Sequence, residues 1–170
     1  MIIDYFKYIT LFILAVFIQV LIFDNIYFYG YAHVFFYVIF ILLLPFEINK
    51  YTLMILGFIL GIIVDIFNNS IGMHAFATVF ISFLRPYVLQ IYSTKDEYEI
   101  GHKPGLYDYG YGWFIRYSLT LLFIHHFIFY FIEVFRFYNF HLTFIKIIIS
   151  SIASLIFIIL YQLLFFRNKA

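Results

Sequence analysis

The feature that most constrains this chain is a hydrophobic stretch, Leu56–His74, which carries two glycines and one aspartate at four-residue spacing. Gly57, Gly61 and Asp65 therefore fall on one face of a predicted helix, one turn apart. Most of such a helix can face lipid. An ionisable side chain at membrane depth instead faces protein or water, because exposing it to lipid is costly. The stripe therefore predicts an internal contact surface between helices.

Composition extends this inference to the whole chain. The 170 residues are 66% hydrophobic and 11% charged, with a mean hydropathy of +1.02, whereas soluble domains carry about 25% charged residues. We therefore predict an integral membrane protein with a single transmembrane domain over residues 1–170. The net charge of +1 gives no field that would attract nucleic acid. The absence of cysteine excludes disulfides, iron–sulfur clusters and thiol catalysis.

Six apolar stretches approach the length of about 20 residues that a membrane-spanning helix needs. They lie at about residues 5–23, 27–46, 51–67, 71–92, 113–135 and 144–166. The expected fold class is therefore all-α, with six transmembrane helices. Asn68-Asn69-Ser70 predicts a tight turn between the third and fourth spans, because Asn tolerates left-handed backbone and Ser can cap the next helix.

The lysines and arginines predict the orientation of these spans. With both termini in the cytoplasm, eight of the ten lie in or near the cytoplasmic side. This distribution follows the positive-inside rule, so we expect a multi-pass protein of a cytoplasmic membrane. Arg85 and Arg116 would be inner-face basic residues, with snorkelling to phosphate headgroups as the simplest interpretation. Pro86 would also weaken the fourth helix and free backbone carbonyls that an arginine can satisfy.

Asp65 lies near the outer end of the third span, and Gly72 and His74 open the fourth span across the short turn. Asp65 and His74 are therefore expected to approach each other at one membrane depth. Two interpretations stay open: a buried polar pair that fixes helix packing, which is favoured, and a proton-linked or ligand site. Likewise, the Gly57 and Gly61 stripe either packs within the subunit, which is favoured, or docks the helix of another subunit.

The remaining polar residues do not form a recognisable catalytic or metal site. His125 and His126 are adjacent in the fifth span and lack the i, i+4 spacing of a helical zinc site. Ser150 and Ser154 form a face of small residues that is typical of close helix packing. No serine–histidine–acid triad, phosphate loop or pair of carboxylates can be argued. We therefore expect no enzyme activity, no catalytic residue, no cofactor and no metal ion.

The run Pro45–Pro86 resembles the rod shape-determining protein family MreD. The matching features are Pro45 after the second span, a glycine-rich span that ends in a hydrophobic residue and Asp65, and a short polar turn. They continue with Gly72 and His74 in a small-residue start to the next helix. The length and the number of spans also agree over the whole chain.

This resemblance implies a non-catalytic membrane component of the bacterial elongation machinery, which places cell-wall synthesis along the rod. The family partner is MreC, which has one transmembrane helix and an extracytoplasmic β-rich domain. Other expected associates are the actin-like MreB filament and the glycosyltransferase RodA with its transpeptidase. The expected role is to bind an MreC-like partner in the inner membrane and to help control cell shape and peptidoglycan synthesis. The residues expected to pack helices or bind the partner are Gly57, Gly61, Asp65, Gly72 and His74.

The six-helix fold of the MreD family is similar to that of the substrate-binding membrane subunits of energy-coupling-factor vitamin transporters, a likeness of fold that does not transfer function. Such a vitamin-binding subunit is the rival function. Those subunits usually carry alanine-rich motifs in the first span, whereas Thr10–Ile18 holds one alanine, which counts against the rival. A lipid-handling enzyme is a third alternative. The sequence leaves open both self-association and the identity of any bound lipid.

Overall fold

The computed structural model describes residues 2–26, 33–70, 72–93, 104–134 and 140–165, and within these ranges it contains helices and no strand. The predicted all-α class is therefore confirmed. Two 3-10 turns, Phe23–Asn25 and Phe36–Val38, accompany seven α-helices in the described ranges. These helices are α1 (Ile2–Leu21), α2 (Ile39–Leu43), α3 (Lys50–Asn68), α4 (Met73–Ile91), α5 (Leu106–Tyr109), α6 (Tyr111–Val134) and α7 (Phe140–Phe165).

Four segments of the described chain are long and apolar enough to cross a membrane: Phe6–Asn25, α3, α6 and α7. They match the first, third, fifth and sixth predicted spans. Helix α4 occupies the position of the fourth predicted span and has 19 residues, but it is more polar than the four. The helices are compatible with a multi-pass membrane protein.

The second predicted span, residues 27–46, is not a regular transmembrane helix in its described part. Residues 27–32 lie outside the described ranges. After an irregular stretch, Phe36–Val38 forms a 3-10 turn that runs directly into α2. These two elements together rise about 12 Å, far less than the hydrocarbon thickness of about 30 Å. Within the described ranges the chain therefore has five long helices and the two short helices α2 and α5, and residues 33–46 do not form a regular second span.

Local sequence explains where α2 and α3 begin or end. Helix α2 stops at Leu44, which has extended backbone (φ −61°, ψ 150°) because it precedes Pro45. The side chain of Asn49 begins α3 by accepting the Tyr51 N–H at 2.8 Å. Asn69 ends α3 in the left-handed region at φ 53°, which confirms the left-handed Asn predicted for this turn.

The buried segment Val34–Leu44, which contains the Phe36–Val38 turn and α2, lies at the centre of the bundle. Helices α3, α4, α6 and α7 pack in that order, while α1 packs against α3 and against the Phe36–Val38 turn. Every residue from Val34 to Leu44 is buried. The outer faces of the long helices expose many large apolar side chains, as a lipid-facing surface requires.

Candidate functional site

Asp65 lies in the last turn of α3, and its carboxylate binds the first turn of α4. The backbone N–H groups of His74 and Ala75 donate to its two oxygens at 3.0 and 2.9 Å. These N–H groups have no partner within their own helix, and the N-cap residue Gly72 has no side chain to supply one. Asp65 therefore performs the capping from the neighbouring helix, and its negative charge is favourable at a helix N-terminus.

The approach of Asp65 to His74 predicted from the sequence is present. Nδ1 of His74 lies 3.0 Å from Oδ1 of Asp65, and Asp65 is only 3% exposed. Ser70 does not cap the helix directly; its hydroxyl donates to Oδ1 at 2.6 Å and lies 2.9 Å from the same imidazole nitrogen. These contacts join the end of α3 to the start of α4, which supports the interpretation of a polar pair that fixes helix packing.

The stripe of small residues on α3 is filled by α4 of the same chain. A Cβ atom built on Gly61 would lie 2.6 Å from the backbone nitrogen of Ala75 and 2.8 Å from the carbonyl carbon of His74. A Cβ atom on Gly57 would collide with the side chain of Ser82. The two backbones therefore touch along this face, which leaves no room there for a helix of another subunit.

Residues Val34–Leu44 lie among the helices, and their irregular backbone needs partners other than water. Gln19 of α1 supplies two of them. Its Nε2 donates to the carbonyl of Val34 at 3.0 Å, and its Oε1 accepts the Tyr37 N–H at 3.3 Å. Gln19 is not among the residues predicted from the sequence, although a single amide in an apolar span is a signal that could have identified it.

Two serines of α7 hold the start of the same segment. Ser150 Oγ accepts the backbone N–H of His33 at 3.1 Å, and Ser154 Oγ accepts that of Phe35 at 2.9 Å. Their four-residue spacing places both hydroxyls on one face of the helix. The small-residue face predicted on α7 therefore does more than allow close packing, because it binds the backbone of an irregular chain segment.

Arg85 of α4 holds the other end of the segment. Its guanidinium donates to the carbonyls of Leu44 and Pro45, and its Nε donates to the hydroxyl of Tyr117 at 2.8 Å. That hydroxyl in turn donates to the Leu42 carbonyl at 3.0 Å. Arg85 is 1% exposed, so it does not snorkel to headgroups. Arg85 therefore satisfies carbonyls freed near Pro45, just after α2. The sequence had predicted this role at Pro86, the neighbour of Arg85 in α4.

Arg116, the other predicted inner-face basic residue, is exposed near the start of α6. Its Nε donates to the carbonyl of Gly112 at 3.0 Å, so the side chain turns towards the beginning of the helix. Arg85 and Arg116, both predicted as inner-face basic residues, therefore differ in the structure. Arg85 is buried and holds backbone carbonyls, whereas Arg116 is exposed at the surface.

The two adjacent histidines of α6 are fully buried and belong to the same polar interior. Nδ1 of His126 lies 2.7 Å from the Leu122 carbonyl, which can only accept, so Nδ1 carries the proton. In the neutral ring Nε2 is then an acceptor, 3.3 Å from Ser154 Oγ. Nε2 of His125 lies 2.8 Å from the hydroxyl of Tyr37. No group of three or more His, Asp or Glu residues suited to a metal ion occurs in the part of the chain that the structure describes.

Together these contacts form an internal polar framework with two parts. One part, Asp65 with His74 and Ser70, joins α3 to α4. The other attaches Val34–Leu44 to the surrounding helices. Comparisons with protein-family models, with curated proteins and with solved structures found no match to this chain.

Proposed function

We propose that this chain is a non-catalytic, multi-pass component of the elongation machinery in the bacterial cytoplasmic membrane. It binds an MreC-like protein and helps control cell shape and peptidoglycan synthesis, alongside the RodA-type glycosyltransferase, its transpeptidase and MreB filaments. The observation that carries this proposal is that the residues of the MreD-like motif form one structural unit. Gly61 admits the α4 backbone, and Asp65 caps α4 at His74.

The way the described helices enclose the segment Val34–Leu44 supports a protein-binding role over the rival vitamin-binding role. A small-molecule carrier needs a concave cavity lined by its binding groups. Here the space among α1, α4, α6 and α7 holds the buried segment Val34–Leu44, whose polar atoms bind those helices. A hydrogen-bonded core of this kind suits a scaffold that presents its outer surface to a membrane partner.

Co-purification tests the partner. The chain and a tagged MreC-like protein are co-expressed in a rod-shaped bacterium that lacks its own MreD-like protein. We expect co-purification and restored rod shape. The control is an MreC-like protein whose transmembrane helix is replaced by an unrelated helix of equal length, which should lose the chain. If folded chain fails to co-purify with the intact partner but is retained by a vitamin-transporter module, the proposal is wrong and the rival is right.

Six spans with both termini in the cytoplasm are part of this proposal, and cysteine labelling tests them. The natural chain has no cysteine, so each variant carries a single reporter. We expect Ile26→Cys and Asn69→Cys to react with a membrane-impermeant thiol reagent added outside, and Glu47→Cys and Glu97→Cys to stay unlabelled. If Glu47→Cys is labelled from outside, the segment before it does not cross the membrane, and the six-span topology fails.

A further inference from the structure

Helices α6 and α7 leave an open groove of about 340 Å³ between them on the outside of the bundle. Its walls are mainly apolar and include Phe123 and Ile124 of α6 and Ile148 and Ile152 of α7. The groove therefore lies on two of the helices that are long and apolar enough to cross a membrane.

The hydroxyl groups in this groove are already bonded within the chain. Ser151 donates to the carbonyl of Ile147 at 2.7 Å. Thr120 donates to the carbonyl of Arg116 at 2.8 Å and lies 3.0 Å from the hydroxyl of Tyr92. The groove thus suits a hydrocarbon chain better than a polar ligand. Its branched and aromatic walls also differ from the small residues that close helix–helix contact requires.

A positive charge lies in line with one end of the groove. Arg116, Thr120 and Ile124 follow one another at four-residue spacing, so they share one face of α6. Arg116 precedes Phe123 by about 10 Å along the helix axis. Its side chain turns away from the groove towards the start of α6, where its Nε binds the Gly112 carbonyl. The exposed guanidinium thus lies beyond the end of the groove that faces the start of α6. A phospholipid has the same arrangement, with its phosphate beyond the end of its acyl chain.

We propose that this groove binds an anionic phospholipid, with an acyl chain between α6 and α7 and the phosphate on Arg116. The proposal requires only that these helices lie in a membrane, so it does not depend on a role in cell elongation. It gives Arg116 a lipid held in a defined groove, whereas general snorkelling would bring it to any headgroup at the membrane surface.

Quenching of tryptophan by brominated lipid tests the proposal. Phe123→Trp is placed in a Trp113→Phe background, which makes the groove reporter the single tryptophan. The protein is reconstituted in dioleoylphosphatidylcholine with increasing fractions of dibrominated phosphatidylglycerol or dibrominated phosphatidylcholine. We expect phosphatidylglycerol to be preferred about fivefold at this site, as one basic side chain near the surface provides. High salt should reduce the preference.

Matched variants separate this site from general lipid contact. Arg116→Gln should abolish the preference, and Arg116→Lys should retain most of it. A Phe58→Trp reporter on the exposed outer face of α3 should be quenched equally by both lipids. If Trp113→Phe prevents folding, Phe123→Trp is measured against the natural protein, whose buried Trp113 supplies the baseline.

Three outcomes would overturn the proposal. They are equal quenching by the two lipids at position 123, a preference that survives Arg116→Gln, and a folded protein whose groove reporter neither lipid quenches. The last outcome would show that protein rather than lipid fills the groove.

Discussion

The α3–α4 hairpin and the buried segment Val34–Leu44 face the same physical problem and solve it in opposite ways. Both place backbone N–H and C=O groups where water is scarce. The hairpin satisfies almost all of them within its own helices, so only the first turn of α4 needs help, and Asp65 supplies it. The segment has one short helix and an irregular start, so it depends on side chains from four other helices.

This difference determines how each region responds to substitution. In the hairpin the critical residues are those that let two backbones approach, because the hydrogen bonds there are local. In the segment the critical residues are distant polar side chains such as Arg85, each of which serves one or two backbone groups. Shape complementarity should therefore dominate the energetics of the first region, and hydrogen-bond satisfaction those of the second.

The largest effect is expected from Arg85→Leu. The substitution removes the hydrogen-bond donor of the Leu44 and Pro45 carbonyls and of the Tyr117 hydroxyl in a buried site. We expect the free energy of unfolding to fall by about 3–5 kcal/mol, since each unsatisfied buried group costs about 1–3 kcal/mol. The measurement is reversible unfolding in mixed micelles of a mild detergent and dodecyl sulfate.

Two variants act as controls for this prediction. Arg85→Lys keeps the charge and part of the donor capacity, so it should be intermediate. Arg116→Leu changes an exposed arginine and should leave detergent stability nearly unchanged. A loss below about 1 kcal/mol for Arg85→Leu would mean that the segment does not depend on distant side chains.

Gly61→Ala is the corresponding test of the hairpin. The added methyl group would meet backbone atoms of His74 and Ala75, which can yield only if the two helices separate. We expect a loss of about 2–3 kcal/mol in unfolding free energy, as for other overpacked sites. The methyl group of Gly57→Ala would collide chiefly with the Ser82 hydroxyl, which can rotate, and would lie 3.2 Å from the Thr78 carbonyl oxygen, so its cost should be smaller.

Gly112→Ala completes this series. A methyl group at Gly112, in the first turn of α6, would meet nothing within 4 Å. Because alanine suits a helix better than glycine, this variant should be neutral or slightly stabilising. Equal stability for the Gly61 and Gly112 variants would show that α3 and α4 are not in backbone contact.

The same contrast explains how much could be predicted from the sequence. The contacts of the hairpin join residues that are close in sequence, so the spacing of Gly57, Gly61 and Asp65 was enough to predict them. The predicted contact of Asp65 with His74 is present. The bounds of the long helices follow the apolar runs closely. The buried segment was predicted as a regular span because its composition is as apolar as that of the others. Its partner Ser154 is 119 residues from Phe35, a separation at which sequence pattern carries no information about contacts.

Substitutions of Asp65 test the hydrogen-bonded contact between α3 and α4. Its carboxylate accepts from two backbone N–H groups and from Ser70, whereas an amide offers one accepting oxygen. We expect Asp65→Asn to cost about 1 kcal/mol, typical of a hydrogen bond between membrane helices. Asp65→Leu should cost about 2 kcal/mol, because it leaves the N–H groups of α4 unsatisfied.

Unfolding free energies of the two Asp65 variants, with Glu133→Gln as an exposed acidic control, provide the measurement. Cell shape at matched membrane abundance tests the other interpretation of this residue. If Asp65→Asn folds normally but abolishes rod shape as fully as Asp65→Leu does, the charge itself is functional and the purely structural interpretation is wrong.

A small loss, comparable to that of Asp65→Asn, is expected from Ser154→Ala, which has a closely matched control in the same helix. Ser154 and Ser151 are both buried, but their hydroxyls serve different partners. Ser154 accepts the Phe35 N–H and lies 3.3 Å from His126, whereas Ser151 only donates back to Ile147 of its own helix.

Removing the Ser154 hydroxyl leaves a backbone N–H of the irregular segment without an acceptor, and we expect a loss of about 1 kcal/mol. Removing the Ser151 hydroxyl leaves a helical carbonyl that keeps its own backbone donor, so Ser151→Ala should be nearly neutral. Both variants lose the same atom from the same helix, so the difference between their unfolding free energies measures the contacts of Ser154 with Phe35 and His126 together. If the two losses are equal, the Ser154 hydroxyl does not stabilise Val34–Leu44, and the contrast with the hairpin is weakened at this contact.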